Sequence, residues 1–154
     1  MPEVKRFELV PKDDVNRDSK VRALLSKDPV ASRCLVYTYL KEPATVSEIV
    51  ESIAETESIA FDRATIWRKL KLLSNLGLII EIPISTVLNS DTNSKIHKEI
   101  KEKWKEISKK HENNPVIYKK MLGMSFFVVT PKGENFLSWA IEKHNLPFNM
   151  RRIK

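Results

Sequence analysis

Between Val46 and Pro83 every local signal is present for a helix, a connection, a second helix and a strand. Thr45 with Glu48 three residues on spells a capping box, in which side chain and backbone at the helix start satisfy each other's orphan groups. A helix over 46–54 follows, with Ile49, Ile53 and Ala54 at helical spacing. Asp62 is a good N-cap for a second helix over 62–75. Its Ile66, Leu70 and Leu73 fall at i, i+4 and i+7, one stripe that must turn inward. Gly77 then supplies the left-handed residue on which helices end. The run at 78–82 is β-branched and bounded by Pro83, as a short strand would be.

The face of the second helix opposite that stripe is basic. Arg63, Thr65, Arg68 and Lys71 lie on it, Trp67 and Lys69 on its flanks, and Ala64 is small enough for close approach of a partner. A helix that is aliphatic inside and cationic outside is shaped for a groove lined by phosphates. Arginine can pair with guanine edges in the major groove, and threonine can reach a phosphate or a thymine methyl. Trp67 either packs under the following strands or stacks on a sugar. The bland alternative is a solvated surface helix. Thr45 and Ser47, at the start of the preceding helix, are further candidates for phosphate contact, or simple caps.

FDRATIWRKLKLLSNLGLII resembles the recognition helix, terminating glycine and first wing strand of winged helix-turn-helix regulators, the broad group containing MarR-like and ArsR-like repressors. VVTPKGENFL is similar to the turn from wing strand to helix in the MarR-like branch. The resemblance covers residues 28–84 well and 124–144 more loosely. It implies a mostly α protein with a small β wing. It also implies binding of double-stranded DNA, transcription regulation and pairing into a homodimer.

Three segments are expected: an N-terminal arm and helix (1–27), a winged-helix domain (28–144) and a basic tail (145–154). In the first, Phe7 and Leu9 alternate as in an extended arm that Pro11 ends. Asp13 or Asp14 caps a helix carrying Val15, Val21, Leu24 and Leu25. Asp28-Pro29 opens a helix to Lys41 that is apolar all round and therefore central, and Pro43 prevents its continuation. A wing is ordinarily a tight hairpin, but here its second strand is expected only at 125–129. Between the strands, 92–112 reads as an inserted, charged helix with one narrow stripe of Ile96, Ile100, Trp104, Ile107 and His111. That stripe either folds onto its own domain or pairs with a second subunit. As a dimer interface it would use Ile96, Ile100, Trp104 and Ile107. Residues 116–118 suit a short strand, and Lys119 and Lys120 after it could let a wing reach the minor groove or the DNA backbone, or serve solubility alone. Thr130-Pro131 opens a last helix with Phe136, Leu137, Ala140 and Ile141 on its inner side.

Composition bounds the chemistry. The chain has 154 residues, 42% hydrophobic and 31% charged, enough for one domain with a core. Its net charge of +7 speaks for an anionic partner. Three glycines leave no room for a glycine-rich phosphate loop. Cys34, the single cysteine, sits in an apolar run and is expected to be a buried packing residue. His97, His111 and His144 are isolated, so no metal site is expected, and no pattern of an enzyme or cofactor site is found. No apolar run approaches the ~20 residues of a membrane span. The first residues lack a signal-peptide core, which predicts a cytoplasmic protein. A second functional reading is a winged-helix module for protein contact in a transcription, replication or segregation assembly, favoured by the insertion and an exposed Trp104. RNA binding is a third, disfavoured by the absence of aromatic-rich strand motifs.

Overall fold

A computed structural model of the chain describes residues 12–90 and 94–147, with side chains from residue 19 onward. The expected arm at Phe7 and Leu9, Thr92 and the basic tail (145–154) beyond residue 147 lie outside the described residues, as does the side chain of Val15. Helices α1 (Lys12–Ser26), α2 (Pro29–Lys41), α3 (Val46–Glu57) and α4 (Arg63–Asn75) lead into strand β1 (Ile79–Pro83). Helices α5 (Ile84–Leu88), α6 (Lys95–Lys109) and α7 (Pro115–Met121) follow, then strand β2 (Ser125–Val129) and helix α8 (Pro131–Lys143).

Most of the helix starts lie where the local chemistry placed them. Asp28 caps α2 by accepting from the Ala31 N–H, with Pro29 in the first turn. Thr45 and Glu48 form the reciprocal box at α3. Asp62 caps α4, and Gly77 beyond its end has φ +77°. Asp13 and Asp14 fall inside α1 rather than ahead of it. Of the expected stripe of α1, Val21 and Leu25 are buried but Leu24 is exposed.

Helix α2 is central, its Ala31, Cys34, Leu35, Val36 and Tyr37 almost fully buried; only Leu40 of its apolar residues is exposed. Around it Ile49 and Ile53 of α3, Ile66, Leu70 and Leu73 of α4, and Phe136, Leu137, Ala140 and Ile141 of α8 close one hydrophobic cluster. Arg33 and Tyr37 of α2 both reach the Glu57 carboxylate, at 2.9 and 2.8 Å, which ties the far end of α3 to the central helix. Burial pushes the Cys34 thiol up to about 12, reinforced by the charge of Asp28 and opposed by that of Lys69. Cys34 should therefore be inert to a disulfide reagent at pH 8 in the folded protein and react at once in denaturant, because the thiolate is the reactive form. Prompt modification of the native chain would refute this packing.

The sheet has two antiparallel strands, in register from Ile79 opposite Val129 to Pro83 opposite Ser125. On the free side of β2, Ala44 exchanges two backbone hydrogen bonds with Phe127, at 2.9 and 2.7 Å. Alternate residues of a strand face opposite ways; the inner face is covered, and the outer face is covered at Ile82 and Phe126 but leaves Ile80 exposed. Ile79, Phe127 and Val129 join the main cluster. Phe126, with Ile82 beside it, joins a second cluster made with Ile84 and Val87 of α5 and Ile100 and Trp104 of α6.

That second cluster corrects the expectation for the insertion. The stripe of α6 is not a surface: Ile100 and Trp104 are 0% and 5% exposed, and Ile96 and Ile107 pack around them. Ile100 and Trp104 are therefore not displayed to a second subunit, and Trp104 is not an exposed patch for a protein partner, while Ile96 and Ile107 are half-buried. One narrow stripe suffices for a core because the outer sheet face and α5 complete it. The segment 116–118 is not a strand either. It lies in α7, since Asn114 accepts from the Ile117 N–H and Pro115 occupies the first turn, the same pair of signals that starts α2. Tyr118 from α7 meets Trp104 at 5.7 Å between ring centroids. The helix expected over 92–112 is shorter, its N-cap Ser94 and its last residue Lys109.

Candidate nucleic-acid interface

The site is built on α4 and on the start of α3. With Ile66, Leu70 and Leu73 turned into the core, Ala64 and Arg68 lie on the opposite face and are exposed to solvent; Arg63, only about 20° round the helix from Leu70, is exposed because it stands in the first turn, ahead of the buried stripe. Neither arginine has a carboxylate within 4 Å among the described residues. Arg68 reaches only the Thr65 hydroxyl, at 3.4 Å. Thr65 is half-buried, and its N–H donates to Asp62 at 2.6 Å. That backbone bond, with the neighbouring Arg68 charge, holds the Asp62 carboxyl below its usual range.

The flanking cations behave differently. Lys69 is paired with Asp28, the cap of α2, at 2.7 Å. Lys71 is paired with Glu81 of β1 and lies 4.3 Å from the Trp67 ring centroid. Burial alone would raise the Glu81 carboxyl, but bonds from Lys71 and Ser125 and the Lys71 charge bring it below its usual range. Trp67 is 37% exposed and sets its ring against Phe127 of β2 at 6.0 Å, 75° between planes. Of the two roles weighed for it, packing under the strands is the one this geometry serves. Thr45 is buried at 3% exposure with its hydroxyl in the capping box, so it is out of reach of a phosphate. Ser47 is half-buried and open to solvent.

Lys119 and Lys120 are exposed, but on helix α7 and not on a hairpin tip. The insertion stands beside the starts of α3 and α4, and a groove runs between them. The groove consists of two adjoining hollows of about 530 and 370 Å³ that share Ser47, Ile107, His111 and Met124. Arg63 and Lys120 stand on the larger one. One lysine holds the insertion in place: Lys103 of α6 donates to the Lys41 and Pro43 carbonyls, at 2.8 and 2.5 Å, and to the Glu48 carboxylate at 3.1 Å. An ammonium has three protons to give, and here all three find acceptors.

The part played by Lys103, Ile107, His111 and Met124 in walling this groove does not emerge from the caps and stripes of the sequence. A signal existed nonetheless. SFFVV is apolar at both alternations, and Ile80 and Ile82 lie on the face of Phe126, so part of that outer face had to be covered. Among the described residues no group of histidine, cysteine and carboxylate side chains could hold a metal ion, and no helix is long and apolar enough to cross a membrane. Comparisons with protein-family models, with curated proteins and with solved structures gave no match.

Proposed function

We propose that this chain is a winged helix-turn-helix protein that binds double-stranded DNA and acts as a transcriptional regulator, with α4 in the major groove. The observation that carries the reading is Arg68, exposed on the side of α4 away from the core, with Arg63 exposed in its first turn, neither having a carboxylate within 4 Å among the described residues. The order of elements supports it: α2, the Ala44 bridge, α3, α4 and the two strands follow one another as in that fold. The net charge of +7 favours approach to a polyanion.

In this docking Arg63 and Arg68 contact the duplex, Ala64 permits close approach and Ser47 meets the backbone. Lys119 and Lys120 add backbone charge from α7 at one edge. Lys69 and Lys71 orient α4 through their ion pairs and contribute less directly. Twofold pairing of subunits cannot use the buried Ile100 and Trp104 of α6. The protein-contact reading loses the exposed tryptophan that favoured it.

Replacing Arg68 with alanine should weaken binding to a preferred duplex by about 1–3 kcal/mol if it reads a base. Lys119→Ala should weaken all duplexes alike and reduce the steepness of the salt dependence by about one contact. Gel shifts across a salt series, on sites selected from random duplexes, read both effects. Unchanged affinity in both variants refutes the docking.

A further inference from the structure

Seen along α4, Lys71 is placed almost as well for a duplex as Arg68. It stands about 20° round the helix from Ala64 and about 60° from Arg68, on the side away from the core. Lys69, by contrast, is about 40° from the buried Leu73 and belongs to the inner flank. Yet the ammonium of Lys71 is drawn back toward the strands. It is paired with Glu81 of β1 and lies 4.3 Å from the Trp67 ring centroid.

Glu81 is an odd residue for its place. It follows Ile79 on the inner side of β1, where the alternation calls for an apolar side chain. Burial opposes its charge, and the bonds from Lys71 and Ser125 with the charge of Lys71 outweigh that opposition. One carboxylate oxygen accepts from the Ser125 hydroxyl at 2.7 Å and the other from Lys71. Asp28, the partner of Lys69, has a second task as the cap of α2. A pair as exposed as that of Lys71 and Glu81, 43% and 21%, adds little to stability. What it changes is the charge that α4 shows to a polyanion.

We propose that Glu81 limits the affinity of this protein for DNA by withholding Lys71 from the phosphates, an inference that rests on the DNA reading above. If the pair stays closed on binding, Lys71 makes no contact; if it opens, a bare carboxylate is left beside the duplex. Either way the complex forgoes one phosphate contact. That contact would be blind to sequence, because the backbone is the same everywhere. The limit therefore shortens residence on every sequence alike, and the discrimination left to Arg68 is untouched.

Binding of a labelled duplex of random sequence, followed by fluorescence anisotropy across a salt series, tests this. Glu81→Gln keeps the shape and an acceptor for Ser125 while freeing the ammonium. It should steepen the salt dependence by one contact, a slope change of about 0.9, which tightens binding about eightfold at about 0.1 M salt. The gain should be the same on a selected site, and it should vanish when Lys71→Gln is added. Glu55→Gln, the same change of charge toward the far end of α3, should produce no gain. Unchanged binding in Glu81→Gln, an equal gain in Glu55→Gln, a gain confined to the selected site, or one that survives Lys71→Gln overturns the inference and leaves the DNA reading standing. The double variant decides even where Glu81→Gln alone folds poorly: affinity below that of the parent means that Lys71 already touches the duplex, which also overturns it. If neither parent nor variants bind any duplex at low salt, the DNA reading falls and this inference with it.

Discussion

Gly133→Ala is expected to cost about 3 kcal/mol of folding stability, measured by urea denaturation. A methyl group at Gly133 would lie 2.0 Å from the Leu78 carbonyl oxygen and 2.8 Å from Cγ1 of Val129. The carbonyl cannot step aside cheaply, because it accepts from the Thr130 N–H at 3.0 Å. Nor can α8 retreat, since Thr130 caps it through the Gly133 N–H and its own hydroxyl donates to the Gly77 carbonyl at 2.7 Å. The requirement is close approach of two backbones, not an unusual dihedral angle. Gly123→Ala serves as the control: its methyl would meet only the Lys120 carbonyl, at 3.4 Å. Similar losses in the two variants would show that the contact between α8 and the end of α4 has been misjudged.

Phe126→Ala should destabilise by about 3–5 kcal/mol, the usual cost of emptying an aromatic site in a core. Phe126 is fully buried, but in the cluster of the insertion, back to back with Phe127 in the main cluster. The two alanine variants should thus be similarly costly and yet differ in what they loosen. Amide exchange should quicken in α6 for Phe126→Ala and in α2 for Phe127→Ala, since protection follows local packing. Trp104→Ala should resemble Phe126→Ala, and the pair should not add, because both belong to one cluster. A loss under about 1 kcal/mol for Phe126→Ala would mean the insertion is not truly packed on the sheet.

Local chemistry is legible in the sequence wherever a residue's role is decided within one turn of chain. Thr45 with Glu48, Asp62 before Arg63, Asp28 before Pro29 and Thr130 before Pro131 all mark helix starts. The stripes of α4 and α8 are equally plain, because 3.6-residue periodicity alone tells which side faces in. What the sequence hides depends on partners far along the chain. Lys69 reads as one more surface cation until folding brings Asp28, 41 residues away, within 2.7 Å. Lys103 reads likewise until the turn after α2 offers it carbonyls. Residues 116–118 suggest a strand by their β-branched side chains, although Asn114 and Pro115 carry the stronger, positional signal. Of the candidate site, the arginines are legible; the groove is not, since its walls come from four separate helices.

The two-sided anchoring of β2 bears on how the groove could diverge. A slip of one residue would carry every side chain of the strand to the opposite face, so Phe126 and Phe127 together forbid it. The distance from α7 to the start of α4 is thus imposed by strand pairing and by Lys103, none of which lies in the larger hollow. Lys120, exposed on that hollow, can therefore be exchanged without disturbing the pairing that sets the hollow's width.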